Sequence, residues 1–184
     1  MCIRDSVINM SLGIDSPNLA SVQPITDVIQ DAIDNNVFIV AASGNDGQLM
    51  TPTNYSYPGS PLGAEMEGFI NVGSSDVASG SISRFSNYSD TYVEIMAPGS
   101  TDSSTGVGLL MPDPGSDPAN SYDRASGTSF ASPIVAGAAG LVIGLLRSRG
   151  ENPTPAEIEA ALKDGAISEP GFSGRTQDLS LIHI

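Results

Sequence analysis

The chain has 184 residues, 40% of them hydrophobic, and a mean hydropathy of +0.02, proportions that suit one soluble globular domain long enough to bury a core. Twenty-one acidic residues against seven basic ones give a formal net charge of -14. Such a surface repels nucleic acid and anionic membrane and sets both aside as partners.

In chain order, the first six residues belong with the last six. The only cysteine, Cys2, and the only histidine, His183, both lie in these ends. Back-translating Leu179-Ser180-Leu181-Ile182-His183-Ile184 gives a DNA element whose reverse complement encodes Met1-Cys2-Ile3-Arg4-Asp5-Ser6. One sequencing-library adapter read in opposite orientations accounts for both. Residues 1–6 and 179–184 are therefore expected to be adapter, flanking a native segment 7–178 that holds neither Cys nor His. On this reading disulfides and Cys/His metal sites are ruled out, and both native termini lie outside the chain.

Val7-Ile8-Asn9-Met10 reads as a buried strand running into the loop Ser11-Leu12-Gly13. Ile25, Val28, Ile29, Ala32 and Ile33 recur at helical spacing, and Asn35-Asn36 can end that helix because Asn tolerates the left-handed cap. Residues 37–42 form a second strand, completing a βαβ unit with parallel strands. Further strands are expected at 69–72 and 93–96, the latter stopping at Ala97-Pro98-Gly99. From Gly99 to Ala125 the chain reads as loop, with one short extended piece at 107–110. The apolar stretch 130–146, rich in Ala and Gly, predicts a helix packed closely on all sides. Its uninterrupted apolar run, 134–146, falls short of the roughly 20 residues of a membrane span. A last helix opens at Thr154-Pro155-Ala156-Glu157, a capping box with Pro at the first helical position.

The chemistry concentrates at Ser126-Gly127-Thr128-Ser129-Phe130-Ala131-Ser132-Pro133. This stretch places a hydroxyl at the mouth of a long helix, where free N–H groups and the positive dipole end stabilise an oxyanion or a substrate carbonyl. By the residues alone, Ser129 or Thr128 serves equally as a simple helix cap. Ala41-Ala42-Ser43-Gly44-Asn45-Asp46-Gly47, at the end of a strand, offers a second feature. Asn45 is either a turn residue or a neutral side-chain amide that donates at any pH.

Together these stretches resemble the subtilisin-like serine proteases, whose nucleophile motif is Gly-Thr-Ser-Met-Ala-Ser-Pro-His-Val-Ala-Gly. Phe130 stands where Met is usual and Ile134 where His is usual; neither is a triad position. The resemblance covers about Val7 to Ala166. It implies Ser129 as nucleophile and Asn45 as oxyanion donor beside the Ser129 N–H; in subtilisin itself, losing that donor costs about 10²–10³ in turnover. It implies that Ser11-Leu12-Gly13 pairs with substrate backbone and that Ala42-Ser43-Gly44 and Thr128 help to form the substrate site. Phe85-Ser86-Asn87-Tyr88 followed by Met96-Ala97-Pro98-Gly99 resembles scaffold, and Tyr57-Pro58 matches a Tyr-Pro that is often cis in the family. The implied fold is α/β, a partial subtilisin-like three-layer fold with about four of the usual seven parallel strands and a central buried helix starting at the nucleophile.

The family's catalytic Asp and His precede the Ser. Neither their Asp-Thr/Ser-Gly nor their His-Gly-Thr/Ser-His motif occurs here, and both are expected upstream of Val7; His183 belongs to the adapter. Without a base the chain as it stands is expected to be inactive, since loss of the nucleophile or the His alone in subtilisin costs about 2 × 10⁶. With half the sheet absent, strand 7–10 would present an unpaired edge and the isolated segment would be poorly soluble or partly molten. The parent is read as a monomeric, secreted or cell-envelope bacterial endopeptidase acting on polypeptides. It needs no cofactor for its chemistry; the family resemblance allows calcium as a structural ion of the parent, for which Asp102, Asp113, Asp117 and Asp123 could supply oxygens, but they lack EF-hand spacing and read rather as solvated loop charges. The alternatives are a pseudoprotease or binding domain of the same fold, a sedolisin-type acid peptidase (against which Asn45 speaks), and a nucleotide-binding α/β domain. The last lacks any Gly-x-Gly-x-x-Gly or Walker pattern after the first strand.

Overall fold

The computed structural model describes residues 6–15, 18–113, 121–168, 172–176 and 180–181. The chain opens with β1 (Val7–Met10) and the two-residue β2 (Ile14–Asp15), followed by α1 (Leu19–Asp34). The side chain of Asn18 caps α1 by accepting from the Ala20 N–H at 3.0 Å, and Asn36 ends it at φ 66°, the left-handed turn expected of the Asn pair. Next come β3 (Phe38–Ala42), β4 (Ser56–Tyr57), α2 (Gly59–Glu65), β5 (Phe69–Asp76), β6 (Ser81–Ile82) and β7 (Ile95–Ser100). β8 (Leu109–Pro112) and β9 (Tyr122–Ala125) form a separate antiparallel hairpin. α3 (Thr128–Ser148), α4 (Pro155–Asp164), β10 (Ile167–Ser168) and β11 (Ser180–Leu181) complete the order.

The main sheet runs β1-β3-β5-β7-β11-β10, with the first four strands parallel. Both of its faces are covered, so its central strands are apolar without alternation. Phe38 and Val40 of β3, with Ile70 and Val72 of β5, pack on Ala131, Val135, Ala139 and Ile143 of α3 and on Ile158 and Leu162 of α4. Ile39, Ala41 and Phe69 face the other way, onto Val22, Ile29 and Ile33 of α1 and Leu62 of α2. This is the three-layer α/β arrangement expected. The capping box also forms: Thr154 Oγ1 accepts from the Glu157 N–H at 3.3 Å, and the Glu157 carboxylate takes the Thr154 N–H at 2.8 Å. The hydrogen bonds from Thr154 hold that carboxylate below the usual Glu range.

Four expectations are corrected. The strand expected to stop at Ala97 continues to Ser100, because a register shift at Ser75/Asp76 accommodates Pro98-Gly99 against β5. The loop after Gly99 contains the β8–β9 hairpin, one strand of which lies two residues beyond the expected 107–110 piece. Strand 7–10, expected to be buried, is not: Val7 and Met10 are half-buried and Ile8 and Asn9 exposed, because β1 has only β3 beside it among the described residues. Finally, α3 is not enclosed on all sides. Its 21 residues are long and apolar enough to cross a membrane, yet only one face is in the core, while Leu141 is 71% exposed and Leu145 53% exposed. Among the described residues β1 ends the sheet, pairing with β3 alone, and its Ile8 is exposed.

A carboxyl group is sealed within this frame. Glu94, just before β7, is fully buried; its Oε2 accepts from the Asn71 N–H at 2.5 Å and its Oε1 has no partner. A side chain at Gly63 of α2 would meet both Glu94 oxygens at 2.8 Å, so the acid is packed from that side as well. Burial pushes its pKa well above the ordinary Glu value, against the Asn71 hydrogen bond and the field of Lys163, with Glu159 adding to the rise.

Candidate active site

Ligands of parallel α/β sheets bind beyond the carboxyl ends of the strands, and the loops leaving β1 and β3 meet the start of α3 there. The result is a cleft of about 300 Å³. Of the residues singled out in the sequence, Ser11, Leu12, Gly13, Ala42, Gly44, Asn45, Thr128 and Ser129 all line it. Ser43 does not: it is fully buried behind the wall, its Oγ donating to the Asn87 carbonyl at 3.2 Å.

Thr128 organises the centre. Its backbone N–H and its Oγ1 both donate to Asn45 Oδ1, at 2.8 and 3.0 Å, while Oγ1 accepts from the Gly44 N–H at 3.2 Å. A backbone N–H can only donate, so the atom of Asn45 facing it is the oxygen. The amide nitrogen Nδ2 is then the end left to the cleft. Ser129 follows at the second position of α3, where its N–H has no acceptor within the helix and the helix dipole is positive. One amide NH₂ and one backbone N–H beside a hydroxyl form the donor set that a tetrahedral oxyanion requires.

Ser11 ties β1 to the same helix. Its Oγ donates to the Ser129 carbonyl at 2.7 Å, lies 3.0 Å from Ser132 Oγ and accepts from Asn9 Nδ2 at 2.8 Å. Ser129 Oγ lies 3.5 Å from the Ser11 carbonyl, and no histidine occurs among the described residues; His183 lies outside them. Among the described residues, then, no imidazole stands beside the hydroxyl.

Two lining residues carried no signal in the sequence, Asp15 and Ser56; a third, Asp46, lies in the stretch around Asn45 but was given no role there. β2 pairs with β4 in the register Asp15↔Ser56, which brings Ser56 beneath Gly13. Asn87, read as scaffold, shapes the loop that holds Asn45. Its Oδ1 accepts from the Asp46 and Gln48 N–H groups at 3.1 Å each, and its Nδ2 donates to the Ser43 carbonyl at 3.0 Å and to Asp46 Oδ2 at 3.4 Å. Gly44 adopts φ +100°, and a Cβ there would collide with Asn87 Nδ2, so glycine is required on both counts.

Of the acidic residues named for calcium, Asp102 and Asp123 are engaged within their own segments. Asp102 turns its Oδ1 onto its own loop, accepting from the Ser104 N–H at 2.9 Å, the Ser104 hydroxyl at 2.6 Å and the Thr105 N–H at 3.3 Å. Those bonds, led by the Ser104 hydroxyl, lower its pKa. Asp123 Oδ1 accepts from the Arg124 N–H, and Asp117 lies outside the described residues. No group of three or more His, Cys, Asp or Glu side chains stands close enough to share a metal among the described residues.

Comparison with known proteins agrees with this geometry. Residues 4–179 match the peptidase S8, or subtilase, family. The membrane-bound transcription factor site-1 protease of Homo sapiens is 34% identical over 175 residues, covering 91% of this chain and 15% of that protein. Subtilisin DY of Bacillus licheniformis is 36% identical over 137 residues, covering 74% of this chain and 42% of its own length. Among solved structures, a protease from Pseudoalteromonas arctica superimposes with a TM-score of 0.72 at 31% identity, covering 96% of this chain and 48% of that one. The chain thus spans less than half the length of each.

Proposed function

Because this chain belongs to the subtilase family, we propose that it is the C-terminal part of the catalytic domain of a serine endopeptidase, with Ser129 as nucleophile. Ser129 Oγ attacks the scissile carbonyl, Asn45 Nδ2 and the Ser129 N–H hold the resulting oxyanion, and an acyl-enzyme forms and is hydrolysed. The base and its orienting carboxylate, a His and an Asp, come from sequence preceding Val7; residues 1–184 alone are inactive for want of them. The observation that carries this reading is the clamp of Thr128 on Asn45 Oδ1, which turns the amide donor toward the cleft that holds Ser129.

The outward apolar residues of α3 and the bare edge of β1 support the same reading, since both are surfaces that a preceding half of the domain would cover. Export is part of the proposal. One relative, 34% identical over 166 residues, is named an extracellular protease of Xanthomonas campestris, although the site-1 protease is named as membrane-bound.

The test is to recover the coding sequence upstream of residue 7, express the joined protein and label it with a fluorophosphonate. Labelling at Ser129 with hydrolysis of casein, both lost in Ser129→Ala, is the expected result. An intact upstream frame with no His motif, and a protein that neither labels nor cleaves, would replace the protease with a binding domain of the same fold.

A further inference from the structure

Asp46 is followed by Gly47 in the exposed loop after β3 that also carries Asn45. An Asp-Gly pair is chemically labile, because the glycine has no Cβ to keep its nitrogen from the carboxyl carbon of the aspartate before it. The fold fixes the glycine: Gly47 has φ +65°, and a Cβ there would meet the Arg84 carbonyl oxygen at 2.7 Å. The labile pair is therefore built into the loop, and only the geometry around it decides whether it reacts.

That geometry holds it closed. The Gly47 N–H donates to the Phe85 carbonyl at 2.7 Å, and the amides on either side, of Asp46 and Gln48, both donate to Asn87 Oδ1 at 3.1 Å. Asn87 Nδ2 donates to Asp46 Oδ2 at 3.4 Å and to the Ser43 carbonyl at 3.0 Å. Asn87 is buried, so water does not compete for these bonds. Ring closure requires the Gly47 nitrogen to give up its hydrogen and swing onto Asp46 Cγ, which the bonded loop prevents. The second Asp-Gly pair, Asp164-Gly165, ends α4 with the Gly165 N–H on the Ala161 carbonyl at 3.1 Å, and is held by its own helix rather than by a distant side chain.

We infer that Asp46-Gly47 is a site of backbone isomerisation, latent while Asn87 and the Phe85 carbonyl hold the loop and reactive whenever it opens. In the first step Gly47 N bonds to Asp46 Cγ while a carboxyl oxygen leaves as water, taking the amide hydrogen and one proton from solvent. Water then opens the cyclic imide and a proton returns to solvent. Opening at the carbonyl next to Cα leaves isoaspartate, with the backbone running through the former side chain and one carbon longer. The extra carbon falls beside Asn45, so the amide that Thr128 clamps is displaced from the cleft. Asn87 is thus a positioning residue that sets the chemical lifetime of the site.

The test uses the joined protein carrying Ser129→Ala, which removes self-cleavage and makes the result independent of the protease assignment. It is stored warm at neutral pH and digested, and isoaspartate at position 46 is read by chromatography with mass detection and by enzymatic isoaspartyl methylation. The isomer should form at least about tenfold more slowly than in the same protein unfolded in urea, and Asn87→Ala should raise the folded rate by about tenfold. Asp46→Glu, whose longer side chain does not readily close the ring, should show no isomer there. Should Asn87→Ala fail to fold, urea below the unfolding transition decides, since the rate must then rise with hydrogen exchange of the Gly47 amide. In the active protein, Asn87→Ala should lose kcat on storage faster than Asn87→Ala combined with Asp46→Glu; equal decay overturns the consequence for Asn45. Equal rates folded and unfolded, or a folded rate indifferent to Asn87→Ala and to urea, overturn the inference and leave the protease assignment standing.

Discussion

Replacing Glu94 by Gln should make the domain more stable at neutral pH, and the gain should vanish in acid. Glu94 is fully buried, with one hydrogen bond to Oε2 and none to Oε1, and its folded pKa is raised well above 4.5. A raised carboxyl pKa means that the folded state holds the proton while the unfolded chain has released it. Stability from this group is thus complete below the unfolded pKa and is lost as pH rises toward the folded one. The slope is about 1.4 kcal/mol for each pH unit within that window, for a single proton. Gln keeps the shape, and its carbonyl oxygen can take the Asn71 N–H, so the variant carries no such slope. Urea unfolding of the joined protein, run in parallel at pH 4, 5, 6 and 7, measures both. The two proteins should coincide at the acid end and separate progressively above the ordinary Glu pKa. Parallel pH profiles would refute the reasoning and mean that Glu94 ionises in place with a compensating partner.

Three further outcomes are expected in the joined protein. Asn45→Ala should lower kcat by about 10²–10³ with little change in KM, the size of loss measured for the corresponding donor in subtilisin, as read by steady-state hydrolysis. Thr128→Val removes the hydroxyl that donates to Asn45 and accepts from Gly44; releasing the amide should lower kcat by about tenfold while fluorophosphonate labelling of Ser129 persists. Asn87→Ala frees the Asp46 and Gln48 N–H groups, so their hydrogen exchange should accelerate at least tenfold while that of β5 stays slow.

The parts of this molecule that were legible in the sequence are those with a local cause. The strands around 37–42 and 69–72 were read as such because parallel strands buried on both faces are apolar throughout, and 7–10 because it is short, apolar and β-branched. Asn36 and the Thr154–Glu157 box were readable as helix ends, and the Tyr57-Pro58 bond is cis as the motif implied. What escaped depends on distant partners. β9 carries Asp123 and Arg124 and is almost wholly exposed, so no apolar alternation marks it. The one-sidedness of α3 was hidden because Ala and Gly read alike whether a helix is enclosed or bare. Asp15 reaches the cleft through the pairing of β2 with β4, which no motif records. The Ser43–Gln48 loop owes its shape to a side chain 39 to 44 residues away.

The clamp between Thr128 and Asn45 joins residues 83 positions apart, so the Asn45 amide is not held in its orientation until α3 has docked on the sheet. A chain emerging from the ribosome has its β3 loop, with Asn45, long before the helix that orients it. Throughout that interval Asn45 is an ordinary loop amide and the polypeptide is chemically harmless to its neighbours. The geometry of Asn45 is therefore a product of completed folding, and local loosening of α3 would release the amide without any change to the cleft residues themselves.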